Sequence, residues 1–535
     1  MQAGHRIEGL PDYTIEEIAC RNGKQSSHGD RSSKPRTWAT HKGGVYDITD
    51  FIDAHPGGAT RIKLAAGASV DSFWKIFKVH DKDEVRTILE GMRVGNVKGW
   101  VPPPINLKAD AEERRAWENE PPRNAALVAR STCPYNGETP NEALTLGGLT
   151  DADLFFVRNH MPVPIVDEER FCLRISGDGL RSQCFTVDDL KRQFPEQTVV
   201  TTIQCGGNRR TDTPHRDSVK GLAWTSGAIG TAEWKGVWLR DVLHFLEGPA
   251  RLDPTSTTSL NFMATQTTSA SVIKQEGDTA HILTAKEPQF HVHFDGLDKD
   301  PGSQFQVSIP LHMAIDPNRD ALIAFSMNGQ PIPRDHGYPL RAVIPGTVGV
   351  RNAKWLSAVT VVGKESESDW QQRDYKNFPS WCARPSDHTG GKLPSIYDVP
   401  VQSAITETSL IETSDEHTDA VRIKGYAYCG GGRGVQRVEV SVDGGNSFSR
   451  EAILNDAGIN QIEGKRWAWQ FFEADIHGLP KVDGLPSASG KTPEEFAARR
   501  TICTRAWSST NDIQPRIAEV NFRGLLNNGY SCVKV

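Results

Sequence analysis

Two groups of residues in this sequence have the types and spacing to do chemistry. The first is "TTIQCGGNRR", residues 201–210, where Cys205 follows a short β-type run and precedes two glycines, an asparagine and two arginines. A thiolate is a soft ligand, suited to a soft or high-valent metal. No His or Cys ligand is near it in sequence, so a metal on Cys205 would draw its other ligands from a cofactor. The adjacent arginines would lower the thiol pKa and attract anions. The plain alternative is a buried, inert thiol. Cys20, Cys133, Cys172, Cys184, Cys382, Cys503 and Cys532 are read that way, and Cys429, beside "GGGR", is left open. The second group is His55 in "HPGG" and His80 in "FWKIFKVHDKDEV". Two neutral imidazoles facing each other across an apolar slot would hold a haem iron on both sides, which favours electron transfer over oxygen chemistry. The alternative is a small domain with incidental histidines. His41, in "WATHKGG", reads as a solvated residue at a strand edge.

These residues need elements to position them, and 535 residues are more than one core serves, so about three domains are expected. Residues 1–36 are polar and read as a flexible arm, and residues 37–97 form a compact unit of mixed character. Residues 98–129, containing "VPPPINLKADAEERRAWENEPPRN", have the proline and charge content of a linker. Residues 130–398 mix strand-like runs ("QTVVTTIQ", "RAVIPGTVGV", "LSAVTVVG") with helical ones ("VDDLKRQF", "WLRDVLHFL"). From 399 to 535 the texture is all-β. In "VQRVEVSVDGGNSF" Val438, Val440 and Val442 share a strand face and "DGG" supplies a tight turn; "KRWAWQFF" and "RIAEVNFRG" alternate similarly. A β-sandwich is expected there. Polar stretches near 252–282 and 478–497 read as surface insertions.

Composition narrows the function classes. The net charge of -6 gives no case for nucleic acid as a partner. No apolar run approaches ~18 residues, so no membrane span is expected. The start, "MQAGHRIEGL", lacks the apolar core of a secretory signal, and no organelle address is visible. Nine cysteines without CxxC spacing argue against a disulfide framework or zinc ribbon and suit a reducing or mixed compartment.

With "VYDITDFI" before HPGG and His80 after it, residues 37–97 closely resemble the cytochrome b5 family, in which the matching histidines, His55 and His80, are the axial ligands of haem b. Five further stretches occur in order: "LFFVRNHMPVP", "IQCGGNRR", "VKGLAWTSGAIGTAEWKGVWLRDVL", "MNGQPIPRDHGYPLRAVIPGTVGVRNAKWL" and "WQQRDYKNF". Together they strongly resemble the sulfite oxidase family of molybdenum enzymes, and the match continues into "KGYAYCGGGRGVQRVEVSVDGG". Gly206 departs from the family's "CAGNRR". The resemblance implies an α+β multidomain chain: a small α+β b5-like haem domain, a mixed α/β molybdenum-cofactor domain and a C-terminal immunoglobulin-like β-sandwich that makes a homodimer.

Carried over residue by residue, the resemblance makes Cys205 the molybdenum ligand, with a molybdopterin dithiolene completing the coordination. The pterin phosphate needs fixed N–H and cationic donors. The matching positions are Phe156, Val157, Arg158, Asn159 and His160, then Asp298, His336 and Arg341, and finally Asn352, Ala353 and Lys354. Substrate positions match at Arg158, Arg210, Trp224 and Tyr375, with Arg523 in "VNFRG" and Arg433 in "GGGR" as further anion contacts; Cys205, Arg158, Arg210 and Tyr375 are the catalytic set. The implied reaction is oxidation of sulfite to sulfate, with two electrons passed singly through the haem to cytochrome c. The implied location is the mitochondrial intermembrane space. One rival is a nitrate reductase-like enzyme, in which the b5 module follows the molybdenum domain and a flavin module comes after it; here the b5-like stretch comes first. The other is a haem electron carrier with an inactive molybdenum domain, which would contain iron and no molybdenum.

Overall fold

The structure, a computed structural model, describes residues 3–23, 35–56, 58–76, 80, 82–100, 117–213, 219–247, 260, 272–276, 279–283, 290–300, 303–390, 392–413, 418–480 and 500–535. Most of the expected insertions at 252–282 and 478–497, and residues 101–116 of the expected linker, lie outside the described residues.

The first unit is a four-stranded sheet in the order Asp12–Tyr13, Arg93–Val97, Gly44–Asp47, Trp38–His41. Helices Ala59–Lys63, Asp71–Ile76 and Asp83–Glu90 wall an apolar slot around Tyr46, Ile52, Val70 and Leu89. Residues 3–23 are not a flexible arm. Asp12–Tyr13 pairs in parallel with Asn96–Val97. The Asn96 side chain accepts from Ile7 N at 2.9 Å and donates to Ile7 O at 3.0 Å. These attachments satisfy backbone groups of the N-terminal segment, which polar sequence does not advertise. His41 is not solvated either: it is buried, hydrogen-bonded to Asp71, and 4.6 Å from the Trp74 ring.

The middle unit carries two five-stranded sheets. One runs Ser303–Pro310, His291–Asp300, Leu356–Val362, Leu173–Gly177, Gln183–Phe185. The other contains Gln197–Gln204, Ile229–Trp238 and Leu322–Met327, joined by Arg341–Val343. Helices Val187–Gln193 and Leu239–Leu246 match the expected helical runs. "RAVIPGTVGV" is a strand only over Arg341–Val343, because Pro345 and Gly346 break it. Gly346 has φ +78°, and a Cβ there would lie 2.6 Å from Gly431 N. Order on this unit begins before residue 130: Arg123 pairs with Asp335 at 2.8 Å, and Val128–Thr132 is already a strand.

The C-terminal unit is the expected sandwich of two four-stranded sheets, with Val438, Val440, Val421 and Ile423 in its core. Two expectations fail here. Cys503 and Cys532 face each other across adjacent strands and form a disulfide. "RIAEVNFRG" has no strand, since it crosses back to the middle unit, where Phe522 packs on Phe378 and Arg523 pairs with Asp374. Of the remaining cysteines, Cys382 and Cys429 are buried, burial pushing Cys429 up to about 12, whereas Cys20, Cys133, Cys172 and Cys184 are exposed.

Candidate active site and haem slot

Cys205 sits where strand Gln197–Gln204 ends, its N–H donating to Ala228 O at 2.9 Å. The chain then turns tightly, with Asn208 N–H donating to Cys205 O at 2.9 Å and Arg209 at φ +59°. The residues of "CGGNRR" divide the work. Asn208 donates to Tyr426 Oη at 2.9 Å and accepts from Ala228 N at 3.0 Å. Arg209 is fully buried and donates to Ser403 O, Gly529 O and Tyr530 O at 3.0, 2.9 and 2.9 Å, so it clamps the loop to the sandwich. Arg210 turns the other way. Its Nε donates to Arg523 O at 2.9 Å and its Nη1 to Leu222 O at 2.7 Å. Gly207 and Gly221 make room for it: a Cβ at either would lie 2.5 Å and 2.8 Å from the guanidinium.

The Cys205 loop opens onto a cavity also lined by Phe156, Arg158, His160, Asp298, His336, Arg341, Asn352, Ala353, Lys354 and Tyr375. Eleven residues singled out in the sequence, spread over some 220 positions, thus line one cavity. Asn136 organises the first of them: its Oδ1 accepts from Arg158 Nη1 and from Asn159 N, both at 3.0 Å. Lys354 Nζ donates to Arg158 O and Asp335 O at 2.9 Å and to Asn159 Oδ1. Tyr375 closes the wall at the end of the π-turn Trp370–Asp374. That turn is held by Arg351, wholly buried, which bonds Ile396 O at 2.9 Å, Gln371 Oε1 and Tyr375 O at 3.5 Å.

Burial sets the protonation states. It holds His160 well below the ordinary imidazole range, with Arg158 adding to the effect, and His336 at about 4, so both rings are neutral. It lowers Arg341 to about 9, and Lys354 to about 7 against the pull of Asp335. Burial, aided by Cys205, raises Tyr375, which stays a phenol at neutral pH. Burial lowers Arg158, opposed by Tyr375 and Cys205. Arg158 and Arg341 are thus poorly solvated cations on one cavity wall.

Six sequence candidates lie off this cavity. Val157 and Asn159 are buried behind its wall, and Trp224 is packed in the core with Phe155 and Phe156. Arg523 lines a neighbouring chamber. Arg433 pairs with Asp512 at 2.9 Å and lines neither space. Arg210 is off the lining too, but close enough for Cys205, Tyr375 and Arg158 all to act on its charge. Asn136, Asp335, Arg351 and Trp355 were not picked out by sequence reasoning. Only their place in the recognised stretches could have flagged the last three.

The residues fit a molybdenum–pterin group. Among the described residues no group of three or more His, Cys, Asp or Glu could hold a metal, so a metal on Cys205 must bring its other ligands. Among the described residues His160 Nε2 is buried without a hydrogen-bond partner, and Arg341 and Lys354 line the same cavity as donors suited to a phosphorylated ring system. The haem slot fits as well. Its volume is about 270 Å³ and its lining is apolar, with Phe51, Phe73 and Met92. The His55 and His80 rings are parallel within 4°, with centroids 6.0 Å apart. That separation leaves room for one metal ion at about 2 Å from each facing nitrogen. Burial lowers His55 to about 4, so it is a neutral ligand, and its Nδ1 is hydrogen-bonded to Gly58 O at 3.1 Å.

Comparison with known proteins agrees with this geometry. Family models match as the oxidoreductase molybdopterin binding domain over residues 160–370, the Mo-co oxidoreductase dimerisation domain over 393–535 and the cytochrome b5-like heme/steroid binding domain over 23–98. The mitochondrial sulfite oxidase of Rattus norvegicus is 37% identical over 96% of this chain and 83% of its own. The sulfite oxidase of Gallus gallus is 36% identical over 97% and 99%. An NADH nitrate reductase of Phaseolus vulgaris is 30% identical, over 77% of this chain but 42% of its own. The sulfane dehydrogenase SoxCD of Paracoccus pantotrophus, 21% identical with a TM-score of 0.52 over 81% of this chain and 92% of that one, shares the fold. A cavity built around one cysteine, a paired-histidine haem slot and near full-length similarity together place this chain in the sulfite oxidase family.

Proposed function

We infer that the protein oxidises sulfite to sulfate at a molybdenum–pterin centre bound through Cys205, and passes the electrons singly through haem b on His55 and His80. The external acceptor is cytochrome c. The chain works as a homodimer through its C-terminal sandwich, in the mitochondrion, within the intermembrane space. The single observation that carries the reading is the Cys205 cavity, where one cysteine sulfur shares a lining with Arg158 and Tyr375 and with desolvated Arg341 and Lys354.

Molybdenum supplies the two-electron oxygen-atom transfer; the chain supplies binding, orientation and charge. Arg158, steadied by Asn136 and the Asn159 carbonyl, presents guanidinium donors to the anion. Arg210 and Arg523 add positive charge from behind the wall, so a small dianion is attracted locally by a protein whose net charge is -6. Tyr375 keeps its proton and donates a hydrogen bond from Oη to an oxygen of substrate or product. The neutral His160 and the Lys354 and Arg341 cations hold the pterin.

Steady-state assays of purified protein with sulfite and with nitrate, using cytochrome c, ferricyanide and an artificial donor, test this together with metal analysis. Sulfite-dependent reduction of both acceptors, with molybdenum and iron present, is expected. Nitrate turnover without sulfite turnover, or iron without molybdenum, would overturn it.

A further inference from the structure

Among the described residues Tyr375 Oη makes no hydrogen bond, so the phenol is placed by the main chain that carries it. Position 206, beside the ring, is a glycine, where even a Cβ would lie 3.6 Å from Tyr375 Cε1. The main chain, in contrast, is gripped from outside the cavity. Tyr375 O accepts from Ile396 N at 2.9 Å and from Arg351 Nη2 at 3.5 Å. Lys376 pairs with Ser395 in an antiparallel bridge, and Asn377 N donates to Pro394 O at 3.0 Å. The π-turn that ends at Tyr375 starts at Trp370. The Trp370 ring lies 4.1 Å from the His160 ring and 4.9 Å from the guanidinium carbon of Arg61 on the haem unit. Single π-turns occur mostly at functional sites.

One buried carboxylate gathers these ties. Glu365 lies just past strand Leu356–Val362 and does not line the cavity. Its Oε1 accepts from Lys376 Nζ and Gln371 Nε2, both at 2.7 Å, and from the Ser395 hydroxyl. Its Oε2 pairs with Lys392 Nζ at 2.8 Å. Gln371 passes the tie on: its Oε1 accepts from Arg351 Nη1, and from Ser308 N at 3.1 Å. The Glu365 and Lys376 side chains are only 7% and 3% exposed. Burial alone would raise the Glu365 carboxyl, yet donors from Lys376, Lys392, Ser395 and Gln371 hold it well below the ordinary carboxylate range. It is therefore charged at neutral pH. Lys392, 66% exposed, is the one partner that stands apart from the tyrosine. Lys376 follows Tyr375, Gln371 is in its π-turn, and Ser395 precedes Ile396, whose N–H binds Tyr375 O.

We propose that Glu365 is the positioning residue for Tyr375. It fixes the main chain on both sides of the tyrosine, through Lys376 after it and through Gln371 and Arg351 before it. Hydrogen bonds to a charged acceptor are roughly twice as strong as neutral ones, and a network on one carboxylate is lost as a unit when that charge is removed. A misplacement of about 1 Å at a reacting centre costs on the order of 100-fold in rate. The proposal rests on the sulfite reading only for the task of the phenol, which is to donate to the bound anion.

The test uses the full-length holoprotein. Ferricyanide-coupled sulfite kinetics are measured for Glu365→Gln, Tyr375→Phe and the double variant, and amide hydrogen exchange across residues 370–378 is followed by mass spectrometry. Glu365→Gln should lower kcat/KM about tenfold or more and speed exchange across 370–378. In the Tyr375→Phe background the same change should cost less than about twofold, because a mislaid phenol matters only while there is a phenol. Purely structural damage would cost the same in both backgrounds. Lys392→Met removes only the exposed partner and should stay within about twofold of wild type. Glu365→Gln leaves the Lys376 ammonium buried without its counter-charge. If that variant does not load molybdenum and haem, Glu365→Gln/Lys376→Met, which removes both charges, takes its place in the same cycle. A kcat/KM within about twofold of wild type, an undiminished loss in the Tyr375→Phe background, or unchanged exchange across 370–378 would overturn the proposal. Exchange needs no turnover. A wild-type protein that oxidised no sulfite would sink the activity, and faster exchange in the Glu365 variant would leave the clamp standing.

Discussion

Arg158→Gln isolates the contribution of one guanidinium to anion binding. Arg158 is half-buried, and its exposed part faces the Cys205 cavity. Its Nη1 is committed to Asn136 Oδ1 at 3.0 Å and Asn159 O at 2.5 Å; Nε and Nη2 have no hydrogen bond among the described residues. Two donors and the full charge thus remain for sulfite. Glutamine keeps one donor to Asn136 or Asn159 and presents no charge to the cavity. A charge-assisted hydrogen bond is worth about 1.5–3 kcal/mol, and removing one partner of a desolvated charge pair costs about 2–5 kcal/mol. A loss of about 2–4 kcal/mol corresponds to roughly 30- to 1000-fold in kcat/KM. The change should fall mainly on KM, with haem content unchanged. Arg158→Lys restores the charge but neither the fork nor the two structural bonds, so it should recover only part of the loss. Steady-state kinetics on molybdenum-normalised enzyme decide the matter. A kcat/KM for Arg158→Gln within about twofold of wild type would mean that the anion binds elsewhere.

Four further outcomes are expected. Cys205→Ser should retain pterin, measured by its fluorescence after release, but lose sulfite turnover; near-normal turnover in a molybdenum-loaded variant would refute the ligand assignment. His55→Ala or His80→Ala should abolish the six-coordinate low-spin haem spectrum and cytochrome c reduction while sparing ferricyanide-coupled oxidation, and an unchanged spectrum in both would exclude the pair. Lys354 sits at about 7 instead of 10.5 before any anion is bound, so it loses its proton as pH rises through 7. A phosphate that needs the charged form should therefore bind apo-protein progressively more weakly from pH 7 to 9, by up to about tenfold per unit. Fluorescence titrations with molybdopterin would reveal this, and pH-independent affinity would count against Lys354 as a phosphate donor. Arg209→Met removes three charge-assisted bonds to carbonyls of the sandwich and should destabilise its junction with the middle unit by about 3–5 kcal/mol; a loss under about 1 kcal/mol in urea unfolding would show the clamp to be dispensable.

The sequence by itself determined the broad architecture and marked the candidates for chemistry. Cys205 at the end of a β-run, the HPGG histidine, and the alternation around Val438 are local signals, and local periodicity and turn chemistry are what a sequence displays. The recognised stretches then singled out positions that the fold brings to one cavity. Tertiary structure alone decided how those residues divide their roles. Arg209 and Arg210 are adjacent arginines in one motif, yet one is a buried clamp and the other a site cation, because Arg209 at φ +59° turns the chain between them. Arg433 pairs with Asp512, and Trp224 packs in the same apolar cluster as Phe156 and Cys205, neither of which the sequence displays. The arm at residues 3–23 and the Cys503–Cys532 bond escaped the sequence because backbone pairing and cross-strand register depend on partners about 30 to 90 positions away. The seating of Arg61 on Trp370 escaped it for the same reason: a contact between separately folded units leaves no periodicity in either.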